Sequence, residues 1–181
     1  MENYINKQIR KLLYPFILTA AILVLDQISK ALIIRYVPLY PSFPGYEVIG
    51  DFFRIIHTRN LGIAFSLGRT LPGTIRYTLF TFLPLAVMII VIIYYFRVPD
   101  LNQLQRWALA GILGGGFGNI IDRFFRPEGV VDFLDFKFYG IFGLNRWPTF
   151  NIADSSVVVC GIILVISLII TEGRRQDEQK D

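Results

Sequence analysis

The residues of this sequence that could do chemistry are a few polar side chains within long apolar stretches, at their ends, or in the segments that connect them. They are Asp26, Lys30, Asn60, Asn119, Asp122, Arg123, Asp132, Asn151 and Asp154. Several are carboxylates, and two carboxylates near water suffice for general acid–base hydrolysis: one activates the water and the other polarises the bond to be cut. The chain therefore carries the groups that an acid–base hydrolase requires.

Each of these signals also has a purely structural explanation. Asp26 and Lys30 are four residues apart, so they share one helix face and can form an ion pair that merely makes their burial tolerable. Asp122 and Arg123 could form a salt bridge at a helix end. Taken one at a time, the residues leave both explanations open. Their convergence at one depth in the membrane favours a functional site.

Asn151 has the strongest structural alternative. It is a good N-cap for the last apolar helix, and Asp154 would then occupy the third helical position, where the helix dipole stabilises a negative charge. Capping alone could explain this pair. Asp132, taken singly, could be an ordinary solvated loop aspartate.

The composition indicates a membrane protein. Hydrophobic residues make up 54% of the chain and charged residues 18%, against about 25% charged in soluble domains. The net charge is +4, but the basic residues lie at the ends of apolar runs and form no patch for nucleic acid. One cysteine and one histidine leave no thiolate or imidazole metal cluster and no internal disulfide.

Four apolar segments have the character of membrane-spanning helices, which need about 20 residues. The expected spans are about 12–34, 75–96, 107–121 and 152–171, with outer segments at 35–74 and 122–151. Residues 1–181 are expected to form a single membrane domain. The third span is rich in glycines at the spacing that permits close helix packing.

The distribution of Lys and Arg gives the expected orientation. Residues 1–11, 97–106 and 172–181 carry eight of them in 31 residues, whereas 35–73 and 122–151 carry eight in 69. Cytoplasmic segments are the richer in Lys and Arg. Both termini are therefore expected in the cytoplasm, and the polar residues at the extracytoplasmic ends of the spans.

The two outer segments contain more than simple connections. Residues 47–58 are rich in aromatic and β-branched residues and predict one or two strands. Residues 136–150 contain six aromatics among a few charges, which suits a segment on the bilayer surface.

Five motifs, in order along the chain, carry a family resemblance. They are DQISK at 26–30, NLGIAF at 60–65, GGGFGNIIDR at 114–123, VVDF at 130–133 and FNIADS at 150–155. Together they resemble the motif set of lipoprotein signal peptidase, or signal peptidase II. The resemblance implies an all-α membrane protein with four transmembrane helices and a small extracytoplasmic β-cradle, working in the bacterial cytoplasmic membrane.

The resemblance also implies the site. The catalytic pair would be Asp132 and Asp154. The residues that bind substrate or shape the site would be Asp26, Lys30, Asn60, Gly118, Asn119, Asp122, Arg123, Asn151 and Ala153. No metal and no cofactor are implied. The substrate would be a lipid-modified prolipoprotein, cut just before its lipobox cysteine, with membrane lipids as surroundings and no oligomer required.

Two departures from the family pattern are visible. Gly116 stands where alanine is common, and the stretch between Asp132 and Asp154 is a few residues longer than usual, with residues 145–148 extending it. The extension affects the local shape of the cradle. We expect Asp154, at a helix N-terminus, to be the base and Asp132 to be the acid.

Two other functions use the same residues differently. In a metal-dependent membrane transferase, Asp122, Asp132 and Asp154 would hold Mg²⁺. In a small ion-coupled transporter, Asp26 and Lys30 would relay the ion. Ser29 and Lys30 could suggest a serine–lysine peptidase. This function fits poorly, because neighbouring residues on a helix point about 100° apart, which does not bring a nucleophile and its base together.

Overall fold

Four long helices make up most of the protein. In the computed structural model, residues 9–62 and 72–178 are described. The helices are α1 Phe16–Tyr36, α2 Gly73–Arg97, α3 Gln103–Phe125 and α4 Ile152–Glu178. The last continues past the predicted boundary at residue 171, so much of the polar C-terminal stretch is helical.

The helices alternate in direction. The Tyr95 hydroxyl, near the end of α2, donates a hydrogen bond of 2.6 Å to the carbonyl oxygen of Leu12, before α1. Asn102, which caps the start of α3, donates to Ser167 late in α4 at 3.3 Å. The end of α3 meets the start of α4, where Asn119 donates to Asp154. α3 packs against all three other helices and is the centre of the bundle.

Among the residues that the structure describes, three helices are long and apolar enough to cross a membrane. They are Ile9–Tyr36, Gly73–Arg97 and Ile152–Gln176, with mean hydropathies of 1.9, 2.5 and 2.5. They match the first, second and fourth predicted spans. α3 covers the third predicted span with 23 residues, but glycines and polar residues lower its mean hydropathy.

The glycines of α3 allow its neighbours to approach closely. A Cβ on Gly115 would lie 2.3 Å from the carbonyl oxygen of Ala153 in α4, and one on Gly114 would lie 3.0 Å from the carbonyl oxygen of Thr19 in α1. Either contact is shorter than side chains permit without movement. The structure therefore confirms the packing role that the spacing of these glycines predicted.

A small antiparallel sheet caps one end of the bundle. Its strands are β1 Tyr46–Ile49, β2 Phe53–Asn60 and β3 Val130–Phe136, in the order β1-β2-β3. The first two confirm the strands predicted at 47–58. β3 was not predicted as a strand, and it joins the outer segment after α3 to the one after α1. Of the motif at 60–65, residues 63–65 lie outside the described residues.

The sheet is anchored to α1 by apolar contacts. Ile33 of α1 and Val37, which caps the end of α1, form one buried cluster with Val131 and Phe133 of β3. Burial of side chains of this size stabilises by about 1.5–3 kcal/mol each. Successive side chains of a strand point to opposite faces of the sheet. Because Val131 and Phe133 lie in this cluster, the side chain of Asp132 lies on the other face of β3.

A β-bulge in β2 sets which of its residues reach β3. Ile55 pairs with Leu134 and Thr58 with Asp132, so the register shifts between Ile55 and Thr58. The extra residue places Thr58 opposite Asp132 and brings Asn60 to the same face two residues later. The bulge thus aims an amide side chain at the aspartate.

Candidate active site

The two aspartates that the motifs predicted as the catalytic pair lie in different kinds of secondary structure, one in a strand and one in a helix. Asp132 is the third residue of β3 and only 2% exposed. Its Oδ2 accepts a hydrogen bond of 2.9 Å from the Asn60 side chain. Asp154 lies in the first turn of α4, and its Oδ1 accepts from the Asn119 side chain at 2.7 Å.

Asn151 links both aspartates. Its Nδ2 donates to Asp132 Oδ1 at 2.8 Å, and its backbone N–H donates to Asp154 Oδ2 at 3.1 Å. Its Oδ1 accepts from the backbone N–H of Asp154 at 2.9 Å. The bond to Asn151 Oδ1 confirms the N-cap that the sequence predicted for the start of α4, and the bond from the backbone of Asn151 to Asp154 makes the cap reciprocal. Capping and site formation are therefore two roles of one side chain.

Asn119 connects Asp154 and Asn151 to Lys30 of α1. Besides donating to Asp154, it accepts at Oδ1 from Asn151 Nδ2 at 3.0 Å and from Lys30 Nζ at 2.9 Å. Since its amide donates to one partner and accepts from two, its orientation is fixed.

Lys30 lies at the centre of a buried charge cluster. Its Nζ is 2.8 Å from Asp26 Oδ2 and 3.1 Å from Asp122 Oδ2, and all three side chains are fully buried. The first pair confirms the predicted contact across one helical turn. The second joins α1 to α3. One lysine between two carboxylates leaves a negative charge, which Arg126 offsets through its ion pair with Asp122.

Each buried carboxylate of the cluster also holds the backbone just before a site aspartate. Asp122 Oδ2 accepts from the N–H of Val131 at 3.1 Å, and Asp26 Oδ1 accepts from the N–H of Ala153 at 3.0 Å. The cluster therefore positions β3 and α4 together. This is the structural contribution of Asp26, Lys30, Asp122 and Ala153.

Gly118 lies where α3 crosses the cluster. A Cβ at this position would be 2.6 Å from Asp26 Oδ2 and 3.2 Å from the Cβ of Ala153. No side chain fits without displacing the carboxylate that holds α4, so glycine is required for the close approach.

The environment of Asp132 changes its proton affinity. Burial raises the pKa of its carboxyl to about 7, and the negative charge of Asp154 acts in the same direction. The hydrogen bonds from Asn60 and Asn151 lower the pKa and only partly offset this effect. A carboxyl with such a pKa can be protonated near neutral pH.

Arg123 borders the site but does not pair with its neighbour. It is half-buried and lines a small cavity of about 30 Å³ together with Asn60, Tyr77 and Arg126. Among the described ion pairs, Asp122 binds Lys30 and Arg126, not Arg123. The suggested salt bridge between Asp122 and Arg123 is therefore wrong: the two successive residues point to different sides of α3.

Two contributors were missed by the sequence reasoning. Gln27 Nε2 lies 3.1 Å from each of three acceptors, which are Asp26 Oδ2, Asp122 Oδ1 and the carbonyl oxygen of Gly118. Arg126 was overlooked as the partner of Asp122. An amide inside an apolar stretch, next to Asp26, was the signal available for Gln27.

Within residues 9–62 and 72–178, no group of three or more His, Cys, Asp or Glu side chains is arranged to hold a metal ion. Asp122 in particular is engaged by Lys30, Arg126 and the backbone of Val131.

Comparison with known proteins decides the family. The family model described as signal peptidase (SPase) II matches residues 18–170.

The chain belongs to the signal peptidase II family.

Curated relatives agree with this membership. The lipoprotein signal peptidase of Treponema pallidum (strain Nichols) is 48% identical over 155 residues, covering 86% of this chain and 82% of the relative. That of Treponema denticola is 48% identical over 167 residues, covering 92% and 94%. That of Borrelia turicatae is 47% identical, covering 86% and 89%.

Solved structures share the fold. A bacterial membrane enzyme structure superposes with a TM-score of 0.74 at 28% identity, covering 89% of this chain and 90% of the other. A second gives 0.71 at 29%, covering 86% and 92%. As a signal peptidase II, the protein is a membrane peptidase. The transferase and transporter alternatives are not favoured.

Proposed function

We propose that this chain is a membrane aspartic endopeptidase that cuts the signal peptide from lipid-modified prolipoproteins just before the lipobox cysteine, with Asp132 and Asp154 as its catalytic pair. The observation that carries the assignment of the pair is their shared hydrogen-bonding partner, Asn151, which contacts both. The names and high identity of the relatives support the substrate class.

The chemistry uses two carboxyls in opposite protonation states. Asp154, at a helix N-terminus and accepting two N–H donors, is the ionised base that removes a proton from water. Protonated Asp132 donates a hydrogen bond to the scissile carbonyl oxygen as the water oxygen attacks its carbon. The tetrahedral intermediate collapses, the C–N bond breaks, and the amide nitrogen leaves with a proton from the pair.

The burial of Asp132 supports its role as the acid. The raised pKa of Asp132 allows it to hold a proton near pH 7. Two neighbouring carboxylates cannot both ionise cheaply, so the pair titrates as a unit. Asn60, Asn119 and Asn151 hold both carboxyls in place by donating to them.

All four helices span the membrane in this proposal. α3 is not among the three helices that are apolar enough to cross a membrane by composition, but it packs against all three of them, so fewer of its side chains face lipid. The Lys and Arg distribution supports cytoplasmic termini. The aspartates and the sheet then lie together at the extracytoplasmic face, where the acyl chains of the substrate remain in lipid while the scissile bond meets water.

The decisive experiment is cleavage of a lipidated lipobox peptide by the purified full chain in detergent. Asp132→Asn and Asp154→Asn should each lower turnover by at least about 10²–10⁴-fold. The double variant should be little worse than either single one, because the pair acts as a unit. Cleavage should continue in excess EDTA.

The control is Asp100→Asn, which removes an exposed carboxylate at the opposite end of the bundle. It should cleave normally. A folded Asp132→Asn enzyme with near-normal turnover would contradict the proposed catalytic pair and make Asp122 the candidate for the second catalytic carboxylate.

A further inference from the structure

We propose a second ligand site, at the end of the bundle opposite the aspartates, that binds the phosphate of an anionic phospholipid. A cavity of about 480 Å³ opens there between the segment before α1, the α2–α3 connection and the first turn of α3. Its described lining residues are Ile9, Lys11, Leu12, Pro99, Leu101, Asn102, Gln103 and Arg106.

The charged residues among the described lining of this cavity are all basic. Lys11 and Arg106 line it, and none of its described lining residues is acidic. The nearest acid in the sequence, Asp100, pairs instead with Arg175 at 3.2 Å. Among the described ion pairs, neither Lys11 nor Arg106 has a carboxylate partner. Two uncompensated cations in one concavity attract an anion.

Arg106 is held in position for this role. Its Nη1 donates to the carbonyl oxygen of Tyr95 at 3.3 Å, and its guanidinium carbon lies 5.3 Å from the centre of the Tyr95 ring. These contacts use one N–H group and one face of the guanidinium, which leaves further donors for a ligand. Guanidinium N–H groups suit phosphate oxygens particularly well.

The surroundings favour a lipid as the source of the phosphate. The cavity lies where two apolar helices, Ile9–Tyr36 and Gly73–Arg97, begin and end, which is the depth of the headgroups of a bilayer. Its lining also contains apolar side chains, such as Leu12 and Leu101, suited to the glycerol and upper acyl carbons. A basic pocket at this depth selects anionic over zwitterionic headgroups.

The test is a lipid titration of the full chain in a neutral detergent, with the melting temperature as readout. Phosphatidylglycerol should raise the melting temperature saturably, since a ligand stabilises the state that it binds. Phosphatidylcholine and inorganic phosphate at equal concentration should not. Lys11→Gln should weaken the apparent affinity about fivefold.

Gln103→Glu gives an independent variant that preserves Arg106 and its contacts. A negative charge at the first position of α3 is favourable for the helix, so folding should be retained while the cavity repels anions. Its affinity for phosphatidylglycerol should fall at least about tenfold. The matched control is Arg174→Gln, which removes a charge at the same end of the bundle but outside this cavity.

Peptide cleavage in phosphatidylcholine micelles should be unchanged in all three variants. Equal protection by phosphatidylglycerol and phosphatidylcholine would overturn the proposal. So would an Arg174→Gln effect as large as that of Lys11→Gln, which would indicate general attraction to the surface. Equal protection by inorganic phosphate would make the site one for soluble anions.

Discussion

Asp26 Oδ1 accepts a hydrogen bond of 3.0 Å from the backbone N–H of Ala153, the residue immediately before Asp154. A carboxylate in the middle of α1 thus fixes the start of α4. Asp122 does the same for the residue before Asp132. Because Lys30 bridges the two carboxylates, a single ammonium group sets the relative position of the two proposed catalytic residues.

Removing Lys30 should therefore cost more than removing Asp26. Lys30→Met leaves two buried carboxylates without their shared cation, whereas Asp26→Asn leaves Lys30 paired with Asp122. Breaking a buried pair typically costs about 3–5 kcal/mol. Thermal unfolding in detergent should show both losses, with Lys30→Met the larger. Asp100→Asn, in an exposed pair with Arg175, is the control and should change stability by about 1 kcal/mol or less.

Combining Asp26→Asn with Lys30→Met should recover part of the stability, because removing both partners strands no charge between them. Cleavage should remain low, since Ala153 loses its charged acceptor. A stable and fully active double variant would reduce the pair to an insertion device. An unchanged melting temperature in the Lys30→Met protein would contradict the pairing itself.

Gly118→Ala should lower both stability and cleavage. The new Cβ would lie 2.6 Å from Asp26 Oδ2, and overpacking of this kind costs about 1–3 kcal/mol. Gly161→Ala is the matched control, because a Cβ there meets nothing within 4 Å. In a helix interior it should be neutral or stabilise by up to about 1 kcal/mol. Equal effects of the two substitutions on turnover would contradict the proposed close contact.

Stability should fall as the pH rises, because of Asp132. The pKa of its carboxyl is raised to about 7 in the folded protein, above about 3.9 in an unfolded chain. The native state therefore holds the proton more tightly. This contribution is fully present below about pH 4 and is lost as the pH rises through 7, with a slope of up to about 1.4 kcal/mol per pH unit.

Asp132→Asn cannot titrate, so it should lose this slope and unfold at a higher temperature than the parent at pH 8. Unfolding at pH 5 and pH 8 in the same detergent measures the difference. In Asp51→Asn the slope should persist: hydrogen bonds from Lys137 and Arg146 lower the pKa of Asp51, so its carboxyl titrates below this window. The idea fails if the parent and Asp132→Asn show the same slope.

Single cysteines should report the orientation. In a Cys160→Ser background, Phe142→Cys should react with a membrane-impermeant thiol reagent on intact cells, and Asp100→Cys only after lysis. Neither position is covered by the rest of the protein, since Phe142 is 85% exposed and the Asp100 side chain 68% exposed. Labelling of position 100 but not 142 would place the proposed site on the cytoplasmic side instead.

Local patterns explain what could be predicted. The apolar runs predicted four helices, the β-branched run at 47–58 predicted one or two strands, and the spacing of Asp26 and Lys30 predicted their contact. Asn151 was recognised as a cap for the same reason. Each of these features depends on residues within a few positions of one another, where helix and strand periodicity fixes the geometry. The ordered motifs also predicted the family, which the comparisons confirm.

Contacts between distant segments were decided only by the tertiary structure. Gln27 and Asp122 are 95 residues apart and lie 3.1 Å from each other, and Lys30 reaches Asp122 across the same interface. The strand β3 forms because β2 offers it a partner, and its own sequence did not distinguish it from a loop. The sequence by itself thus determined the helices, the cap and the polar residues available to a site. Which of those residues meet was decided by helix packing across glycines and by strand pairing, since neither depends on the spacing of residues along one segment.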